Sequence, residues 1–117
     1  MPHAKGSFEV KITPQPGGHI TFEKEIHGEF EGTSSGEMLT AMTSVPTSAA
    51  YVAVERYTGT LNGRAGTFVA THRAVRTSAS HKLEVEMVPD SGTGDLTGIS
   101  GTITINPDHT YDIDYTL

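Results

Sequence analysis

The 117-residue chain contains no cysteine and no tryptophan. Without cysteine it can build neither a disulfide scaffold nor a thiolate zinc site. No apolar run approaches the roughly 18–20 residues of a membrane-spanning helix, so we expect no membrane partner. Basic residues are also few: 8 Lys and Arg stand against 14 Asp and Glu, a formal charge of −6. That balance argues against binding a phosphate backbone, and aromatics at 7% offer no basic and aromatic interleaving for single strands. We therefore expect no nucleic-acid partner. The opening Met1-Pro2-His3-Ala4-Lys5-Gly6 lacks the apolar stretch of a secretory leader, which with the missing cysteine makes cytoplasmic residence the expectation. The length suits one domain, residues 1–117, with a single core.

What the chain does have is 13 glycines, 6 prolines and abundant threonine, with apolar residues on every second position. Phe8, Val10 and Ile12 alternate with Glu9, Lys11 and Thr13, and Ile20, Phe22, Ile26 and Phe30 alternate with polar neighbours. Leu83, Val85 and Met87, then Ile103 and Ile105, then Tyr111, Ile113 and Tyr115 repeat the period. A period of two means strands with one dry and one wet face. Breaks fall at Pro14 to Gly18, Ser44 to Ser48 and Pro89 to Gly92, where proline lacks a ladder donor and glycine admits positive φ. The fold class is all-β, a single small closed antiparallel barrel of about eight strands. Residues 37–45 carry Met38, Leu39, Ala41, Met42 and Val45 at a spacing that fits helix as well as strand; we assign a strand.

Three stretches share the order Gly, any, apolar, any, Gly, then a further Gly and apolar residue. They start at Gly28, Gly59 and Gly94 and hold nine of the glycines. We read each as a hairpin whose apolar plug (Phe30, Leu61, Leu96) and partner (Met38, Phe68, Ile103) point inward. Strand parity then fixes the other inward positions. Counting back from Leu61 puts Tyr57, Glu55, Ala53 and Tyr51 inside; counting on from Phe68 puts Ala70 and His72 inside; Lys24 falls among Ile20, Phe22 and Ile26. Three ionisable groups thus face the interior, and odd-sum registers place His72 directly or diagonally across from Ala53, Glu55 or Tyr57, so that a Glu55–His72 hydrogen bond is feasible. A carboxylate, an imidazole and nearby phenols in a dry space can hold a small ligand or move a proton. They can equally pin the register as a self-satisfied buried pair.

Other signals are weaker. His19, His27 and Glu29 share an outward face, but two histidines eight residues apart on one strand do not hold a metal by themselves. We expect neither a metal nor a cofactor. Ser34, Ser35 and Ser100 sit in what read as glycine-containing turns without the spacing of a nucleophile elbow. The central strands are apolar outside as well as inside, showing Leu39, Val52, Val54 and Val69. So large a patch predicts a homo-oligomer, most simply a two-fold dimer.

The stretches Gly36 to Leu39, Ala50 to Arg56, Thr58 to Phe68 with His72, and Val88 to Gly101, followed by His109 to Leu117, resemble a bacterial family catalogued as domain of unknown function 3224. The resemblance spans nearly the whole chain and implies an eight-stranded antiparallel barrel similar to allene oxide cyclase. It implies no reaction, since fold kinship is an analogy of shape.

Three functions compete. The first is a small-molecule-binding barrel with its pocket at one mouth, where Glu55, His72, Lys24, Tyr51, Tyr57 and Tyr115 orient the ligand. The second is a cofactor-free acid–base enzyme, an isomerase or cyclase or a carboxylate-dependent hydrolase of aspartic-peptidase type, with Glu55 as acid or base and His72 setting its protonation. The third is a structural or interaction protein whose interior polar groups only pin the register.

Overall fold

The computed structural model describes residues 2–117. Eight strands follow one another: β1 (His3–Pro14), β2 (His19–Gly28), β3 (Phe30–Met42), β4 (Ala49–Leu61), β5 (Arg64–Arg76), β6 (His81–Met87), β7 (Ser100–Ile105) and β8 (Thr110–Thr116). Each pairs antiparallel with its chain neighbour, and β8 returns to β1 to close a barrel in simple meander order. The expected fold class is the observed one. Residues 37–45 are strand as far as Met42, after which the chain turns.

Local chemistry sets the best-defined hairpin. Asn62 and Gly63 both take positive φ, 47° and 86°, the handedness that lets a two-residue loop match the twist of its strands. With that loop fixed, Tyr57 lies opposite Phe68 and Ala53 opposite His72. Asn62 also ties the loop down, its side-chain amide donating to the His3 carbonyl and to the Tyr115 hydroxyl.

The other two glycine stretches are not hairpins of this kind. Phe30 and Met38 lie on one continuous strand, β3, and the turn falls before Phe30. Leu96 ends a single 3-10 turn inside the β6–β7 connection. Ser34 and Ser35 accordingly sit within β3, and Ser100 opens β7, so none of the three serines is in a turn.

The two ends of the barrel differ. At one end the β6–β7 connection carries Leu96 and Ile99 into the core, both essentially inaccessible, and the Ser91 hydroxyl holds it to the Val69 and Val88 backbone. At the other end, three hairpins run past the closed ring. Pairing of β8 with β1 stops at Ser7 and Thr110, whereas β1 and β2 stay paired to Pro14 and β5 and β6 to Arg76 and His81. Above the closed ring the wall is a trough of six strands. Ile12, expected inside, is therefore 57% exposed: it keeps its inward parity at a height where no β8 faces it.

The outer face of the central strands is apolar as expected, with Leu39 58% and Val52 52% exposed and Val54 also exposed. Val69 departs from the expectation. It is half-buried, because the Val88 to Ser91 segment lies along it and takes its backbone hydrogen bonds.

Candidate functional site

Four strands converge on Glu55, which has no accessible surface. Its register partners are Gly36 on β3 and Ala70 on β5, two small residues that leave space above the carboxylate. Into the space at Gly36 comes the Phe22 ring, and a Cβ at Gly36 would meet its Cζ at 2.3 Å. Lys24, from β2, points inward between the Phe8 and Phe22 rings, with Nζ 4.6 and 5.5 Å from their centroids. Such ring faces attract a cation while excluding water.

Three donors satisfy the carboxylate. His72 Nε2 lies 2.7 Å from Oε1, the Ser34 hydroxyl donates to Oε2 at 2.5 Å, and Lys24 Nζ bridges both oxygens at 3.3 and 3.1 Å. Burial by itself would raise the Glu55 carboxyl, but the His72 hydrogen bond, the Lys24 ammonium and the Ser34 hydroxyl outweigh it and hold it at about 2. The group is thus a permanent carboxylate at neutral pH, and His72 presents its Nε2 proton to it. Tyr51 and Tyr57 feel the same carboxylate. Burial first, and then the Glu55 charge, raise the Tyr51 phenol and push the fully enclosed Tyr57 phenol well above its ordinary value.

Below this cluster the barrel is filled. Phe30, Tyr57 and Phe68 pack as one aromatic group, Tyr57 stacked on Phe68 at 4.6 Å and Phe30 edge-on to both. A cavity of only about 20 Å³ remains between Lys24, Tyr57, Tyr111 and the surrounding aliphatics, room for about one water. Above the cluster the walls are half-exposed. Ile20, Met38, Tyr51 and Leu83 all keep inward parity without being buried, and the Tyr51 ring stands 6.4 Å from the His72 ring.

The structure therefore brings together Glu55, His72 and Lys24, with Tyr51 above and Tyr57 below. It does not bring Tyr115, whose hydroxyl meets Asn62 at the stoppered end. Tyr111 likewise serves the backbone, accepting the Phe30 amide and lying 2.8 Å from the His27 carbonyl.

A family model described as a protein of unknown function, DUF3224, matches residues 4–117. The chain belongs to the DUF3224 family. A search of curated proteins finds no match. Among solved structures, a crystal structure at 1.84 Å of a protein of unknown function from the DUF3224 family of Shewanella oneidensis MR-1 is similar. It is 40% identical, covers 100% of this chain and 97% of its own, and superposes with a TM-score of 0.93. The expected family and fold are both met.

Two features of this DUF3224 barrel escaped the sequence reasoning. Ser34 is a full member of the cluster, and the parity count from Phe30 would have reached it had residues 33–36 been taken as strand. Glu9, Glu25 and His27 gather on the outer face with ligand atoms within 4.8 Å of one another. There the third group comes from the neighbouring strand, through the Glu9 and Glu25 pairing. All three are exposed, and His27 is already engaged with Glu9 at 3.0 Å.

Proposed function

We propose that this barrel binds a small, largely apolar molecule in its open trough, above the Glu55 cluster. One observation carries this: inward-facing Ile12, Ile20, Met38, Tyr51 and Leu83 are left exposed or half-exposed at one end while the other end is stoppered by Leu96 and Ile99. An apolar concave surface over a floor of convergent polar groups is the usual form of a ligand site. With the interior filled, the ligand of this proposal packs against Tyr51 and His72 rather than Lys24 or Tyr57.

Binding fits better than acid–base catalysis. A carboxylate held at about 2 and enclosed by three donors is a weak proton acceptor at neutral pH. The test is titration with N-phenyl-1-naphthylamine, an uncharged dye that brightens in apolar sites. We expect saturable 1:1 binding to the wild type and its loss in Met38→Arg, with the melting temperature of Met38→Arg within a few degrees of wild type. Equal dye binding by both proteins would move the site elsewhere, and no binding to the wild type would end the proposal.

We also propose that a second copy covers Leu39, Val52 and Val54. Glu37 flanks this strip on the β3 side and Arg73 on the β5 side, both exposed. A two-fold axis along β4 turns the acidic flank of one copy toward the basic flank of the other. Sedimentation should report twice the 12.5 kDa chain mass, falling to that of one chain in Val52→Asp. A wild-type monomer would count against the assembly.

A further inference from the structure

The upper ends of the three hairpins, where they rise around the trough, contain no carboxylate. Residues 12–20, 38–51 and 72–83 include none of the chain's 14 Asp and Glu, yet they carry His19, His72, Arg73, Arg76, His81 and Lys82. In a chain of formal charge −6, the acids are thereby confined to the rest of the barrel. These basic side chains are not all on the outside. Arg76 and His81 are register partners across β5 and β6, and both have the inward parity of His72, Ala74 and Leu83. With Thr40, Met42, Ala49, Ala50, Tyr51 and Ala74 they line a cavity of about 200 Å³ at the lip of the trough.

Resting on the trough as the binding site, we infer that its ligand is an amphipathic anion: a compact apolar body carrying one carboxylate or a comparable acidic head. The body packs against Met42, Tyr51 and Ala74, and the head meets the Arg76 guanidinium beside His81. Arginine suits this task because its planar fork pairs both oxygens of a carboxylate. The lip supplies no competing carboxylate, so Arg76 is available. Its partner across β4 is Ala49 and across β6 is His81, neither an acid. Nor does the floor attract the head, since the Lys24 charge is spent on Glu55. The anion is therefore oriented head outward, with its apolar end toward His72.

The test compares octanoate with octan-1-ol, which share a body and differ in charge, by amide chemical-shift titration of the full-length protein. We expect both to move the Tyr51, Ala74, Arg76 and His81 amides, octanoate binding roughly tenfold more tightly. Arg76→Gln should erase that preference while leaving octan-1-ol binding and the melting temperature unchanged. Equal affinities for the two in the wild type, or a preference that survives in Arg76→Gln, would overturn the inference and leave the trough as the site. Shifts at none of these amides with either compound would overturn the trough reading as well.

Discussion

Replacing Glu55 by glutamine should destabilise the barrel by about 3–5 kcal/mol, the usual consequence of removing one partner from a buried ion pair. The cause is what remains. The Lys24 ammonium is 9% exposed and, among the described residues, has its counter-charge only in Glu55, while the Ser34 hydroxyl and His72 Nε2 both point at the same two oxygens. An amide offers one acceptor oxygen where the carboxylate offered two, and it directs its N–H groups at donors. Against a typical total of roughly 5–15 kcal/mol, the loss is large. The comparison that identifies the mechanism is a cycle with Lys24→Met. The single replacements should each be costly, and the double replacement should lose less than their sum by about 0.5–3 kcal/mol. Urea titrations of the four proteins measure this directly. Strict additivity would mean that Lys24 and Glu55 do not stabilise each other and that the cluster is held by its hydrogen bonds alone. His72→Gln extends the comparison: a loss equal to that of Glu55→Gln, coupled to it, would mark the cluster as the fastening of the register beneath the trough.

That fastening was partly legible in the residues. Period-two alternation and the Asn62-Gly63 turn are local, and together they set Tyr57 opposite Phe68 and Ala53 opposite His72, leaving Glu55 one diagonal away. Lys24 followed from parity on β2 alone. Parity names a face but not a height, however. Tyr115 faces inward like Tyr57 and yet sits at the stoppered end, beside Asn62. Ile12 also faces inward, and it is exposed because β8 ends below it, a fact of strand length and β1–β8 register that alternation does not encode. Glycine misled in a related way. The repeated spacing looks alike in all three stretches, but Gly36 is not a turn residue. It is absent a side chain so that the Phe22 ring can lie against β3 beside the carboxylate. Reading Gly36 as a turn displaced Ser34 from the strand, and with it the third donor to Glu55. A glycine needed for space and a glycine needed for positive φ are indistinguishable until the partner on the neighbouring strand is known.

The same cluster should govern how the barrel meets acid. The Glu55 carboxyl lies at about 2 in the folded protein against an ordinary 4.5, so between those values the unfolded chain binds a proton that the folded one refuses. Where the unfolded state holds more protons, stability rises with pH. The contribution of Glu55 is therefore complete above about pH 4.5 and is lost as pH falls toward 2, on the order of 3 kcal/mol in all. Acid unfolding alone does not isolate it, because other carboxylates titrate in the same range. The difference between wild type and Glu55→Gln does: it should be widest near neutral pH and close progressively below about 4.5. Alkali acts in the opposite sense. Burial, and then the Glu55 charge, raise the Tyr57 phenol well above its ordinary value, so the unfolded chain releases that proton first, and stability should fall once the pH passes about 10. In Tyr57→Phe that alkaline fall should be shallower while the acid limb is unchanged. Chemical denaturation at each pH measures both limbs. A wild-type to Glu55→Gln gap that stays constant from pH 7 to pH 3 would mean that the carboxylate is not held down by His72, Lys24 and Ser34 as their geometry requires.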